Sequence, residues 1–361
     1  MIYQILVVLT YFLLIATLLP LWRHDAWWVR GFDFPRFQFM LLSLFLLVAS
    51  IVFLDFSNYN AWLLTGIALG SLCFHGGWII PYTTLFPAEV KTTRRKDPLN
   101  SIRLITANVL TPNRNYTGLL DMVNKYKPDV LVALETDAWW EEKLRELEQK
   151  YTYTIKCPLD NRYGMHVYSK LPLEDTAIQY LVEPDVPSMH ALVVLRSGKR
   201  VRVHFLHPSP PSPTENLQSS ERDAELLVVA KSVSDELSPI IVTGDLNDVA
   251  WSSTTRLFRK ISGLLDPRIG RGMFNTFHAD FWFARWPLDH LFHSEHFTLT
   301  EIKRLPYFGS DHFPMLVELM LDETHGADQQ GLLAEEEDLA WAEEKMKAHG
   351  LEEEDVHEPG K

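Results

Sequence analysis

Ile240-Ile241-Val242-Thr243-Gly244-Asp245-Leu246-Asn247 is the stretch on which the fold turns. A short apolar, β-branched run reads as a buried strand, and the glycine lets the chain turn sharply where that strand ends. If the extended geometry persists, alternation puts Asp245 and Asn247 on one face and turns Leu246 back into the core. One carboxylate and one amide then aim at a common point, where they could hold a water or a phosphoryl oxygen. An Asx turn closing a strand explains the same residues without any function. What the rest of the chain supplies as partners decides between the two.

Outward from this stretch, other predicted strands also end on polar residues. Ser101–Val109 carries Asn108 near its far end, and Val130–Leu134 runs straight into Glu135. Ala191–Leu195 and Arg200–His207 form a hairpin about Arg196-Ser197-Gly198-Lys199, and the second strand ends at His207 before a proline-rich loop. Leu288–Phe292 carries Asp289, and Phe308–Pro314 brings Asp311 and His312 ahead of a final strand, Met315–Leu321. Met165–Ser169 is a further strand, and helical spacing is read over 116–126, 139–150, 215–237 and 252–261. Each polar residue alone is as well explained by a turn or a loop. Gathered on one face of a sheet or sandwich, they make a pocket of carboxylates and imidazoles. Its carboxylate and amide oxygens are hard ligands, suited to Mg²⁺ or Mn²⁺ and poorly to Zn²⁺. With only Cys73 and Cys157 in the chain, a disulfide framework and a thiolate zinc site are both excluded as organising features.

The ordered set Ala107-Asn108-Val109, Leu134-Glu135, Phe205-Leu206-His207-Pro208, Gly244-Asp245-Leu246-Asn247, Leu288-Asp289-His290 and Gly309-Ser310-Asp311-His312-Phe313-Pro314 resembles the endonuclease/exonuclease/phosphatase superfamily. The likeness covers about residues 101–320. It implies an α/β fold, a four-layered sandwich of two packed β-sheets flanked by helices. It also implies roles: Glu135 as the principal metal ligand assisted by Asn108 and Asp311, with Mg²⁺ or Mn²⁺ as the ion. Asp245 would orient or deprotonate the attacking water, and Asn247 would bond a phosphoryl oxygen. His312, oriented by Asp289, would act as base or stabilise charge, and His207 would assist the leaving group or bind phosphate. The sequence departs from related membrane-associated members at Asn275-Thr276-Phe277-His278, where those carry Pro-Thr-Trp-Pro. No carboxylate partner for His207 stands out, and His166 and His190 read as core or surface histidines.

The resemblance leaves the two ends of the chain unexplained. Ile2–Leu21, Phe37–Phe56 and Ala61–Phe86 are apolar runs long enough to cross a hydrocarbon core, and no cleavage pattern follows the first. We therefore expect a three-helix membrane anchor over 1–90, a basic linker over 91–100, a catalytic domain over 101–321 and an acidic, mobile tail over 322–361. Arg23, Arg30 and Arg36 in the first connection, and Lys91, Arg94, Arg95 and Lys96 after the third run, are the basic flanks. The positive-inside rule then places the catalytic domain on the cytoplasmic side of a bacterial inner membrane, the periplasmic side being the alternative.

Net charge is +3 over 1–96, −5 over 97–321 and −11 over 322–361. A mildly acidic middle domain argues against tight, sequence-independent nucleic-acid binding, which needs many phosphate-neutralising cations. The expectation is a membrane-anchored, Mg²⁺-dependent hydrolase of a phosphomonoester, phosphodiester or pyrophosphate bond. Its partners would be the bilayer and a phosphate-containing substrate, with lipid-linked substrates as candidates. A nuclease and a non-catalytic membrane scaffold are the alternatives. Phe277, Phe281, Trp282, Phe283 and Trp286 are read as an apolar wall, a membrane contact or simple loop packing.

Overall fold

The computed structural model describes residues 1–234, 237–326 and 328–361. Three helices open the chain, α1 (Ile2–Leu18), α3 (Arg36–Phe53) and α4 (Tyr59–Ile79), with a single turn α2 (Trp27–Arg30) between the first two. The three are long and apolar enough to cross a membrane. They pack on one another through Leu6, Leu13, Ala16, Phe39, Leu46, Ala49 and Ala68. Their outward faces leave Val8, Ile15, Phe45, Ile51 and Trp62 uncovered by protein. Apolar side chains exposed all round a bundle suit lipid and would be costly in water.

The rest of the chain is built on two sheets. The first has the order β10-β11-β1-β2-β4-β3, from β1 (Ser101–Asn108), β2 (Val130–Leu134), β3 (Tyr153–Cys157), β4 (Met165–Ser169), β10 (Phe297–Arg304) and β11 (Met315–Leu321). The second runs β5-β6-β7-β8-β9, from β5 (Leu173–Gln179), β6 (Ser188–Val194), β7 (Arg200–Leu206), β8 (Ile240–Asp245) and β9 (Asp289–His293). Each sheet is mixed, with one parallel pair at its centre, β1 with β2 and β7 with β8. A helix crosses over each pair: α5 (Tyr116–Tyr126) for the first and α7 (Ser220–Ser232) for the second.

Period-two alternation sets the layers. Ile102, Leu104, Val130, Val132, Val203, Phe205, Ile241 and Leu291 point between the sheets and form the inner core. Ile105, Ala107, Leu131 and Ala133 point the other way, against α5 and α6 (Ala138–Leu144). Ile240, Val242 and Phe292 likewise meet α7 and α8 (Ser253–Ser262). Helix, sheet, sheet and helix make the four layers expected.

Several local readings change. The helix expected over 215–237 is shorter, because the chain from Pro208 to Ser219 runs as a loop docked on the membrane segment; positions 235 and 236 of that expectation lie outside the described residues. The helix expected over 139–150 gives way to a 3₁₀ turn at Arg145–Gln149. Strands β3, β5 and β10 were not expected from the sequence. All three lie in outer positions, and two of them, β3 and β5, are half-exposed and carry no continuous apolar signal.

The acidic tail, expected as a solvated appendage with a helix within 332–349, packs one face against the domain. After a short α9 (Glu323–Gly326) it forms α10 (Glu336–Ala348), which lies on α7 and α8. Ala342, Met346, Leu351 and Val356 join the same core as Leu226, Val229 and Phe258. Lys345 bonds Asp223 at 3.0 Å and Asp25 at 2.7 Å, and Lys260 bonds Asp338 at 2.6 Å. Composition predicted a solvated appendage; four apolar positions at suitable spacing were enough to bury one face of it.

Candidate active site

The polar residues at the strand ends share the inward face of the sandwich. Asn108 continues the stripe of Ile102 and Leu104, and Asp245 that of Ile241. Across the sheets Thr106 and Thr243 hydroxyls meet at 3.0 Å, one step before these residues. The carboxyl ends of both parallel pairs thus face each other, which brings Asn108, Glu135 and Asp245 together with His207.

Glu135 reaches the cluster by a backbone reversal. Val130, Val132 and Leu134 point inward, so simple alternation would turn Glu135 toward the helix layer. Its φ of +60° turns it back. Thr111, which the sequence reading missed, fastens it there, with its N–H donating to Oε2 at 3.3 Å and its hydroxyl to the Glu135 carbonyl at 2.8 Å.

Asp245 Oδ2 is the hub. Asn108 Nδ2 donates to it at 3.1 Å, and His312 Nε2 lies 3.4 Å and His207 Nε2 4.0 Å away. His312 Nδ1 bonds Asp289 Oδ2 at 2.8 Å. Two further residues missed from sequence hold this frame. The Ser310 hydroxyl donates to the Asn108 carbonyl at 2.8 Å and accepts from the His312 N–H at 3.1 Å. The Thr276 hydroxyl accepts from the Asp289 N–H at 3.2 Å. Both sit inside stretches already singled out, so the signal was present; Thr111 carried none.

Two expectations about the opening motif need correction. Gly244 does not turn the chain, because β8 continues to Asp245. It is needed because a Cβ there would lie 1.8 Å from the Leu206 carbonyl oxygen of the neighbouring strand. Nor does the extended geometry persist to Asn247, whose φ is +51° and whose N–H donates to Asp245 Oδ1 at 3.0 Å. The Asx turn and the site are the same structure. Asn247 Nδ2 donates to the Pro208 carbonyl at 2.9 Å, tying this motif to the residue after His207.

The electrostatics separate the two histidines. Burial pushes His207 down to about 4, so it is neutral. Burial also pulls on His312, but the Asp245 and Asp289 carboxylates outweigh it and hold the imidazolium up to about 10. Burial raises Glu135 to about 7, and Asp311 adds to the rise against the hydrogen bond from Asn108. Groups pushed apart in this way are the mark of assigned acid and base duties. His166 and His190 are fully buried outside the site, His190 bonding His204 at 2.7 Å.

The donor set fits a hard divalent cation. Among the described residues the only ion-pair partners of these carboxylates are the two histidines, and Glu135 has none. A buried carboxylate facing a second one without a cation is unfavourable, and a divalent ion reverses the sign of that interaction. The ligand atoms of Asp245, Asp289 and His312 also lie within 4.8 Å of one another. Both nitrogens of His312 are already directed at those two carboxylates. As placed, Asn108 turns its NH₂ toward Glu135 and its oxygen toward the Leu110 N–H at 3.0 Å. Ligation through that oxygen requires the amide to rotate.

Comparison with known proteins bears on the family and the fold. Residues 105–312 match the Endonuclease/Exonuclease/phosphatase family. No curated protein sequence matches the chain. Among solved structures, D. rerio TDP2 complexed with a single strand DNA product superposes with a TM-score of 0.51 at 16% identity, over 61% of this chain and 98% of that one. The human Nocturnin catalytic domain with bound sulfate gives 0.51 at 17% identity, over 62% and 96%. At such identities the likeness speaks for the fold. The family match covers more than half of the chain and holds every strand-end residue discussed above. This chain belongs to the endonuclease/exonuclease/phosphatase family of metal-dependent phosphoester hydrolases.

Proposed function

We propose that the protein hydrolyses a phosphoester or pyrophosphate bond of a substrate resident in a membrane, with Mg²⁺ or Mn²⁺ held by Glu135 together with Asn108 and Asp311. The observation that carries the catalytic part is the approach of His207 and His312 to one oxygen of Asp245. The ion would neutralise charge on the phosphoryl group. Asp245, buried and bonded on both sides, is placed to fix a water and accept its proton. His312, kept cationic by Asp289, supplies positive charge to the transition state. His207 is neutral, and its Nδ1 is buried with no hydrogen-bond partner among the described residues, which suits it to bond a phosphate or leaving-group oxygen once the site opens to one. Asn247 was expected to bond a phosphoryl oxygen; its carbonyl accepts from Arg222 at 2.8 Å and one amide hydrogen is committed to Pro208, leaving the other for that task.

The membrane substrate rests on the loops around the site. The loop after His207 meets the first connection, where the Trp27 N–H donates to the Leu217 carbonyl at 3.0 Å and Ala26 bridges Gln218. The chain after Asn247 buries Val249, Ala250 and Trp251 against Ile79 and Tyr82, and the Tyr82 hydroxyl donates to the Ala250 carbonyl at 2.5 Å. The loop before Asp289 packs Phe277 at a tilt against His312, ring centres 4.9 Å apart, and is held by Gln38 Nε2 donating to the Phe283 carbonyl at 2.9 Å. Its tip, Phe281, Trp282 and Phe283, is 50, 80 and 62% exposed. Two walls of the site thus rest on the ends of apolar helices and a third on the connection between the first two, and one presents bare aromatics beside them. Apolar rings at that level suit the headgroup layer.

A substrate panel tests the proposal, using the full chain in detergent micelles with Mg²⁺ against isoprenoid diphosphates, phospholipids, nucleotides and DNA. Release of phosphate from an amphiphile, abolished by EDTA and cut on the order of a thousandfold in Asp245→Asn, is expected. Activity indifferent to chelation would end the metal reading, and exclusive cleavage of DNA would replace the lipid substrate with a nuclease.

A further inference from the structure

A second cleft, none of whose lining residues belongs to the catalytic cluster, lies where α8, the tail helix α10 and the membrane bundle meet. Its volume is ≈ 240 Å³, and its charged lining is Arg23, Arg36, Arg256 and Lys260 against the single carboxylate of Asp338, with the rings of Trp78 and Trp341. Its depth is fixed by the bundle. Pro20 and Leu21, also on its wall, end the first span; Arg36 opens α3; Trp78 is the penultimate residue of α4. This is the level at which hydrocarbon gives way to headgroups.

The charges in the cleft are not fully answered by protein. Arg23 pairs with Glu337 at 2.7 Å, Lys260 with Asp338 at 2.6 Å, and Arg36 with Asp33. Arg256 has no carboxylate partner among the described residues. Its guanidinium lies 5.1 Å from the Trp78 ring centre, and that of Arg36 lies 4.5 Å from the same ring. Two guanidinium groups on one indole repel each other. Arg36 is in addition 1% exposed, and its buried Nη1 has no hydrogen-bond partner among the described residues. A buried donor left unbonded is unfavourable, so the arrangement calls for a ligand that brings both negative charge and several acceptor oxygens.

We propose that this cleft binds the phosphate of an anionic phospholipid headgroup. Inorganic phosphate offers the same oxygens. The lipid is preferred because the apolar wall of Pro20 and Leu21 continues onto the bare outer face of α1, where acyl chains can lie. Basic pockets at the ends of membrane helices take headgroups in this way. The bound lipid would then lie between bundle, α8 and tail, and brace the catalytic domain against the membrane. The inference does not depend on the reaction proposed above.

Native mass spectrometry of the full chain in detergent tests it, with phosphatidylglycerol, phosphatidylcholine and inorganic phosphate as probes. Phosphatidylglycerol should be retained over phosphatidylcholine, and Arg256→Gln should weaken that retention by about tenfold, the loss of one charge-assisted hydrogen bond. Lys260→Gln, whose side chain is only partly covered, should weaken it in the same direction, and circular dichroism reports that each variant is folded. Equal retention of both lipids, or folded variants that bind like the parent chain, would overturn the proposal. Displacement of the lipid by millimolar inorganic phosphate would also overturn it, by assigning the cleft to a free anion.

Discussion

Gly244 carries no functional group, yet the site depends on it. Its α-hydrogen faces the Leu206 carbonyl, and any Cβ would stand 1.8 Å from that oxygen. Gly244→Ala must therefore part β7 from β8 at the point where His207 and Asp245 are placed. It should destabilise the domain by about 2–4 kcal/mol, read as a lowered thermal midpoint, and cost activity beyond that loss. Glu135 shows the opposite case, in which a functional residue occupies a conformation its own side chain disfavours. Its φ of +60° is held by the two bonds from Thr111. Neither feature could be read from residue identity. Spacing along a strand suggests a turn at this glycine because it says nothing of the neighbouring strand's carbonyl.

Helix α7 joins the second sheet to the tail, and it carries a buried carboxyl, Glu225, that no cation among the described residues answers. Burial and the nearby Glu183 push Glu225 up to about 8, well above the ordinary carboxylate range. The folded protein holds that proton more tightly than the unfolded chain, so stability falls as pH rises from the ordinary carboxylate value to about 8 and is level above it. Glu225→Gln should raise the thermal midpoint at pH near 9 and leave it nearly unchanged near pH 4. A gain of equal size at both would show that packing, not charge, is responsible. The loop of Phe281–Phe283 belongs to the same scale. Trp282→Asp should lower turnover of an amphiphile in vesicles, relative to a soluble diester, by roughly tenfold through lost interfacial contact. An unchanged ratio would return those aromatics to a purely structural role.

For the molecule as a whole, the catalytic domain and the first connection lie at one end of the helical bundle, and the 54–58 turn lies at the other, since α3 leads away and α4 returns. Arg23, Arg30 and Arg36, the residues that suggested a cytoplasmic face, are all engaged with carboxylates of the docked domain or of their own loop. They therefore serve as fasteners as well as topological signals. A reporter fused after Lys361 should show the cytoplasmic signal expected from the basic flanks. A periplasmic signal would leave the architecture intact and reverse only its side.

The sequence by itself determined the family, the three apolar spans, the inward stripes of the central strands and the identity of the polar residues that end them. Those features depend on local periodicity and on short motifs, which survive without knowledge of neighbours. Tertiary structure alone decided which of those residues meet. It set Asp245 as the hub, turned Glu135 inward by a reversed φ, kept His312 charged and His207 neutral, and buried an acidic tail read as solvated. Each of these is a balance between burial and a partner distant in the chain. Periodicity carries no record of such partners, so only the packed molecule could show the balance.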